Sequence, residues 1–233
     1  MRAGARSGRT FGAGAPGMID AALIPLQARL LAPPARLLAR AGVEANAITV
    51  AGFAIGVAAV PALAAGWYWI GRALLGLSRL ADGLDGAVAR INGPTDRGAY
   101  LDIALDFAFY AVFPLGFALA DPANARPAAV LVAAFTGTGS SFLAFGIIAT
   151  KRGETADAYP TKGIYYLGGL TEGFETILVF VLMCLWPAAF PLLAYGFAAA
   201  CALTTLSRWF MGWRAFAPPG ERKIVGTVNP ARE

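Results

Sequence analysis

Asp82, Asp85, Asp102 and Asp106 are the residues of this sequence best suited to chemistry. They lie in DGLDGAVARINGPTDRGAYLDIALD, a stretch with five aspartates set between strongly apolar segments. Asp82 and Asp85 are spaced i, i+3, and Asp102 and Asp106 i, i+4, so each pair occupies one face of a helix. Between the pairs, INGPTDRG carries the Asn-Gly-Pro punctuation of a turn, which predicts two antiparallel helices. At a rise of about 1.5 Å per residue, Asp85 and Asp82 lie roughly 10 and 15 Å below the turn, and Asp102 and Asp106 roughly 12 and 18 Å. The four carboxylates therefore meet at similar depth, while Asp96 stays in the turn and is solvated.

Four ionised carboxylates at that depth repel one another. A single charge at the centre of a membrane helix already costs about 2.5–3.5 kcal/mol on insertion scales. Either some are protonated or cations neutralise them. Hard oxygen ligands at this density suit Mg²⁺ or Mn²⁺, as a pair of ions. Such a pair stabilises both the attacking and the leaving oxygen of a phosphoryl displacement. On spacing alone, a proton or ion path and helix-to-helix salt bridges with Arg79 and Arg90 stay open as alternatives. Gly83, Gly86, Ala87 and Ala89 leave the carboxylate face of the first helix almost without bulk. That permits close helix packing, or leaves room for a flat ligand beside the metals. Arg90, one turn beyond Gly86, is placed to clamp a phosphate.

The surrounding chain is membrane-like. Of its 233 residues 58% are hydrophobic and 14% charged, with mean hydropathy +0.60. A soluble domain has about 45–50% apolar and about 25% charged residues. The expectation is an all-α integral membrane protein with six transmembrane helices, at about 46–66, 70–91, 98–120, 128–150, 163–186 and 191–213. The second is the least apolar, because it carries Arg72, Arg79, Asp82, Asp85 and Arg90. Residues 1–17 are Gly/Ala/Arg-rich without an apolar stripe and are expected to be disordered. Residues 18–45 form a juxtamembrane amphipathic segment, interrupted by Pro33 and Pro34 and bearing Arg29, Arg36 and Arg40. Residues 46–215 make the catalytic membrane domain, and 216–233 a cytoplasmic tail.

With six spans, the N-terminal arginines, Arg97, Lys151, Arg152, Lys162 and Arg214 all fall on one side, which the positive-inside rule makes cytoplasmic. The aspartate turn is on that side. Trp67, Trp69 and Trp186 fall at the opposite interface. This asymmetry accounts for much of the net charge of +5, and nucleic acid is not needed as a partner. There is no histidine, which excludes histidine-ligated zinc, a Ser-His-Asp triad and a histidine base. Cys184 and Cys201 fall in apolar runs and read as small core residues.

DGLDGAVAR, INGPTDR and GAYLDIALD together resemble the signature of the CDP-alcohol phosphatidyltransferase family, D-x-x-D-G-x-x-A-R, seven or eight residues, then G-x-x-x-D-x-x-x-D. Every fixed position is filled, with the shorter spacer. The resemblance implies that Asp82, Asp85, Asp102 and Asp106 hold two divalent metals and that Asp106 is also the general base. It implies that Gly86, Ala89 and Arg90 contact the cytidine and diphosphate of the donor. EANAITVAG is similar to the family's Asn-x-x-Thr segment, which adds Asn46 and Thr49 as donor contacts; Asn46 reads equally as a helix cap. Thr95 is a lesser donor contact. The implied reaction moves a phosphatidyl group from CDP-diacylglycerol to a small alcohol, releases CMP, and serves phospholipid biosynthesis at membrane lipids. A homodimer is expected on the same ground.

The acceptor is less legible. Glu172 and Glu175, spaced i, i+3 in GLTEGFETI, read either as interfacial ion-pair partners or as the lining of an acceptor pocket. Lys151, Arg152 and Lys162 read as positive-inside anchors or as a site for a phosphorylated acceptor. Thr136, Thr138, Ser140 and Ser141 could add hydroxyl contacts, although membrane-helix hydroxyls more often bond their own backbone. GLTEGFETI and GTGSSFLAF resemble a bacterial inner-membrane branch of the family. Two rivals remain at this stage. One is a CDP-choline- or CDP-ethanolamine-type donor with a lipid acceptor. The other, of a different class, is a divalent-ion or proton transporter built on the same aspartates.

Overall fold

The computed structural model describes residues 20–152, 171 and 173–218, and the side chains from residue 29 onward. The disordered segment expected at 1–17 lies outside them, as does the tail from residue 219. All regular elements among the described residues are helical: α1 (Asp20–Arg40), α2 (Ala45–Ala64), α3 (Tyr68–Asn92), α4 (Asp96–Ala120), α5 (Ala125–Lys151), α6 (Gly173–Leu185) and α7 (Phe190–Ala215). Short 3₁₀ turns, Pro122–Asn124 and Pro187–Ala189, lead into α5 and α7.

Glycines at positive φ end two of the helices. Gly42 (φ 76°) closes α1, with Val43 N–H donating to Leu38 O at 3.0 Å and Gly42 N–H to Ala39 O at 3.1 Å. Gly66 (φ 76°) closes α2 in the same way, through Trp67 and Ala62 at 2.8 Å. Only glycine takes this left-handed position without strain. At the start of α4, Thr95 Oγ1 accepts from Gly98 N–H at 3.1 Å, and Asp96 sits in the positively polarised first turn.

Among the described residues, four helical stretches are long and apolar enough to cross a membrane: Ala45–Ala64, Asp96–Ala120, Pro122–Lys151 and Pro187–Ala215. The expected number was six. α3 has the length, at 25 residues, but its five ionisable side chains take it below the threshold of apolarity. The fifth expected span is described only as the 13-residue α6, and most of 163–172 lies outside the described residues. The expected interruption at Pro33 and Pro34 is also corrected, since α1 runs unbroken from Asp20 to Arg40. The fixed φ of proline is itself helical, and both rings are exposed, so the cost is two backbone hydrogen bonds.

Lipid tails are as apolar as leucine, so membrane helices gain little from mere burial and associate through close packing. α2 supplies it. A Cβ on Gly52 would stand 2.8 Å from Ala81 Cβ, and one on Gly56 2.8 Å from both the Phe109 ring and Ser78 Oγ. These glycines draw α3 and α4 onto α2. α4 then carries Phe109, Phe113 and Phe117 at successive i, i+4 positions, all fully buried. Phe113 stacks on Phe180 of α6 at 4.4 Å between centroids, and Phe117 on Phe190 of α7 at 4.6 Å. The phenylalanine row thereby joins the α2–α4 unit to the rest of the bundle. α5 packs on α7, where Arg208 Nη1 donates to Thr138 O at 3.0 Å and a Gly137 Cβ would lie 3.1 Å from Thr205. α1 lies against α3 through Ala35, Ala87 and Val88, and leaves Leu30 and Leu37 exposed one heptad apart.

Gly56→Leu overpacks the α2–α3–α4 contact, and is expected to destabilise the protein by about 1–3 kcal/mol. Gly76→Leu meets nothing within 4 Å and is expected to leave stability unchanged. Thermal unfolding in detergent checks the pair, and equal melting temperatures would remove the packing role of Gly56.

Candidate active site

α3 and α4 are joined by Gly93, Pro94 and Thr95, with Gly93 at φ 94°. The turn sets the two aspartate-bearing faces opposite each other. Asp82, Asp85 and Asp102 each offer a carboxylate oxygen, and the three atoms lie within 4.8 Å of one another. Asp85 is 5% exposed, and its Oδ2 has no hydrogen-bond partner among the described residues. An ionised oxygen removed from water and left unpaired is costly unless a cation meets it. The unpaired oxygen and the oxygen-only donor set both fit a hard divalent ion.

The cluster forms one wall of a cavity of about 590 Å³, open at the turn end of α2, α3 and α4. Of the residues selected from sequence, Asn46, Thr49, Gly86, Ala89 and Thr95 line it with Asp82, Asp85 and Asp102. Asn46 is not the cap of α2, since Glu44 holds that position. Thr49 Oγ1 donates to Ala45 O at 3.1 Å, one turn back on its own helix. Arg90 Nη1 lies 3.5 Å from where a Gly86 Cβ would be, so its guanidinium borders the same floor. Glu44, Asn92, Gly98 and Ala99 also line the cavity, and sequence reasoning did not select them. Gly98 was visible as a fixed position of the motif. Glu44 and Asn92 carried no signal beyond their places at helix ends.

Asp106 does not line the large cavity. It lines a small recess of about 10 Å³ with Arg79, Ser78, Thr49, Asp82 and Asp102. Arg79 Nη1 donates to Asp106 Oδ1 at 2.6 Å and lies 3.8 Å from Asp82 Oδ1. Tyr110, one turn beyond Asp106 on α4, lies close to the same carboxylate. Of the salt bridges considered from sequence, the one across α3 and α4 is therefore formed by Arg79. Arg79 and Tyr110 were missed as site residues. Their signal is periodicity alone: Arg79 is three residues before Asp82, and Tyr110 four after Asp106.

Among the described residues, none of the acceptor candidates lines this cavity. Arg152 donates to Ala215 O at 3.3 Å and Phe216 O at 2.7 Å, and its guanidinium lies 5.0 Å from the Phe216 ring centre. It ties the end of α5 to the end of α7. Lys151 is exposed, and Glu175 sits in the first turn of α6. Lys162 and Glu172 lie outside the described residues. Thr136, Thr138, Ser140 and Ser141 each donate to a carbonyl three or four residues back on α5.

Comparison with known proteins agrees with this geometry. The sequence profile of the CDP-alcohol phosphatidyltransferase family matches residues 43–214. The inner membrane protein YnjF of Escherichia coli (strain K12) is 50% identical over 197 residues, covering 84% of this chain and 96% of that one. Mycobacterium tuberculosis phosphatidylinositol phosphate synthase (PgsA1), solved with CDP-DAG bound, superposes with a TM-score of 0.60 at 25% identity. The match covers 79% of this chain and 94% of that one.

Asp85→Asn removes the charge from the most buried oxygen pair of the cluster. It is expected to weaken Mn²⁺ binding by more than the ~10–100-fold typical of losing an outer-shell partner. Titration calorimetry on the purified protein measures this, and undiminished affinity would rule Asp85 out as a ligand.

Proposed function

Because the chain belongs to the CDP-alcohol phosphatidyltransferase family, and is thereby a phosphotransferase, we propose that it transfers a phosphatidyl group from CDP-diacylglycerol to a small alcohol, with release of CMP. The observation that carries this reading is the cavity itself. Its volume falls within the roughly 300–1,000 Å³ of small-molecule sites, its floor is Gly86 and Ala89, and three carboxylates converge on one wall. CDP-DAG in the name of the PgsA1 complex favours the diacylglycerol donor over a CDP-choline-type donor.

In the proposed mechanism the cytidine and diphosphate lie over Gly86 and Ala89, where a larger side chain would take their place. Asn46, Thr49 and Thr95 border them from α2 and the turn, and Arg90 meets phosphate oxygens. Asp82, Asp85, Asp102 and Asp106 would hold two Mg²⁺ or Mn²⁺ ions, which supply charge stabilisation to the diphosphate and the departing CMP. The acceptor hydroxyl attacks the phosphorus nearer the diacylglycerol. Its proton passes to Asp106 Oδ, the bond from that phosphorus to the CMP oxygen breaks, and CMP leaves with the electron pair. Direct displacement requires no covalent intermediate with the enzyme.

The proposed topology has six spans, with α3 and the span expected at 163–186 completing the four apolar ones, in a bacterial inner membrane. Alternation puts the α3–α4 turn, Lys151, Arg152 and Arg214 at one end and the exposed Trp67, Trp69 and Trp186 at the other. The basic end is cytoplasmic. A lipid donor then reaches the cavity from the bilayer and a soluble acceptor from the cytosol. Lys151, Lys162, Glu172 and Glu175 remain candidates for the acceptor side.

The test is CMP release from CDP-diacylglycerol in mixed micelles with Mg²⁺ or Mn²⁺ and a panel of alcohols: glycerol phosphate, inositol phosphate, inositol, serine, choline and ethanolamine. Release should depend on one acceptor and fall about 10²–10⁴-fold in Asp106→Asn. Gly86→Leu should raise the donor KM with stability preserved, since only the Arg90 side chain lies near the new group. Absence of release with every acceptor, and with CDP-choline or CDP-ethanolamine as donor, would overturn the proposal.

A further inference from the structure

Arg79 is held more firmly than a salt bridge needs. Its side chain is 19% exposed. Nη1 donates to Asp106 at 2.6 Å and Nη2 to Ser78 Oγ at 3.2 Å, and the guanidinium carbon lies 4.5 Å from the centre of the Phe109 ring. Ser78 and Phe109 are fully buried, and both abut Gly56, so a close α2–α3–α4 contact fixes the perch of this cation. A guanidinium does not lose its proton at any ordinary pH, so the charge is permanent. Asp106, bound to it, lines the small recess with Asp82 and Asp102, while the carboxylates that come within 4.8 Å of one another are Asp82, Asp85 and Asp102. Nε of Arg79 is buried with no hydrogen-bond partner among the described residues, so the fork is only partly used and its hold on Asp106 rests on one strong contact.

We propose that Arg79 is a positioning residue that keeps Asp106 out of the carboxylate cluster, so that the donor-free protein takes one divalent ion and gains a second only with the donor. The inference rests on the two-ion reading of the site given above. Charge balance supports it. With Arg79 counted, one divalent ion leaves the four carboxylates one negative charge in excess. A second ion leaves an excess of positive charge, which the diphosphate of the donor offsets. Arg79 thereby prevents Asp106 from being tied up by metal before there is a substrate whose proton it can take.

The experiment is Mn²⁺ binding to the full-length protein in detergent, with free Mn²⁺ read by electron paramagnetic resonance. Without donor, the wild type should bind one ion, and CDP-diacylglycerol should raise the number to two. Arg79→Gln should bind two without donor, with second-ion affinity at least tenfold above wild type. Arg79→Lys, which keeps the charge, should stay at one, and Arg79→Gln combined with Asp106→Asn should return to one. Two ions of similar affinity in the donor-free wild type would overturn the proposal even if Arg79→Gln fails to fold. So would an unaltered count in a folded Arg79→Gln protein. The donor-free counts do not depend on turnover, so a failure of CMP release would sink the transferase reading and leave this test standing.

Discussion

Carboxylate oxygens brought within 4.8 Å of one another repel, and Asp82, Asp85 and Asp102 are in that position, with Asp85 buried and Asp102 exposed toward the cavity. The fold around them is shaped by this cost. Fixed positive charge can meet only part of it: Arg79 reaches Asp106 and the edge of Asp82, and nothing among the described residues donates to the buried Oδ2 of Asp85. The cavity beside the cluster leaves a mobile cation and a charged ligand free to enter and depart. A protein that had filled this space with lysine or arginine would be easier to hold together and would have nowhere to bind them.

The packing that maintains the arrangement comes from residues with almost no side chain. Gly52 and Gly56 let α2 approach α3 and α4 closely enough that Thr49, one turn away, stands at the wall of the carboxylate site. The row of phenylalanines on α4 then joins this unit to α6 and α7. The residues that line the cavity thus come from α2, α3, α4, the turn between α3 and α4, and Glu44 before α2, while the described residues of α5 to α7 remain outside the lining.

The aspartate constellation was legible because it depends on little more than helical repeat and one turn. Spacings of three and four put the pairs on single faces, and Asn-Gly-Pro brought the faces together. Asn46 was legible only through the family resemblance, because its residue type suits a cap as well as a ligand. The separation of Asp106 from its three companions was not legible. It depends on which rotamer Arg79 adopts over Phe109, a choice made by tertiary contact and invisible to periodicity. The continuity of α1 through Pro33 and Pro34 was misjudged for a related reason. Proline penalises a helix by removing hydrogen bonds, and an exposed helix seated on α3 through Ala35 can bear that loss. The count of spans met a compositional limit, because the chemistry of the site is drawn from the polar content of α3 itself.

That last feature bears on biogenesis. α3 carries Arg72, Arg79, Asp82, Asp85 and Arg90, and each such residue near the middle of a span opposes insertion by about 2.5–3.5 kcal/mol. In the six-span topology, α3 leaves the ribosome before α4, and thus before Asp106 exists to meet Arg79. Partitioning into lipid one helix at a time would strand its charges. In that topology the pairing of Arg79 with Asp106 favours α3 and α4 crossing together as a hairpin, in which the charges of one helix are met by the other. The polar content of the cavity wall would then weigh on how the nascent chain enters the bilayer.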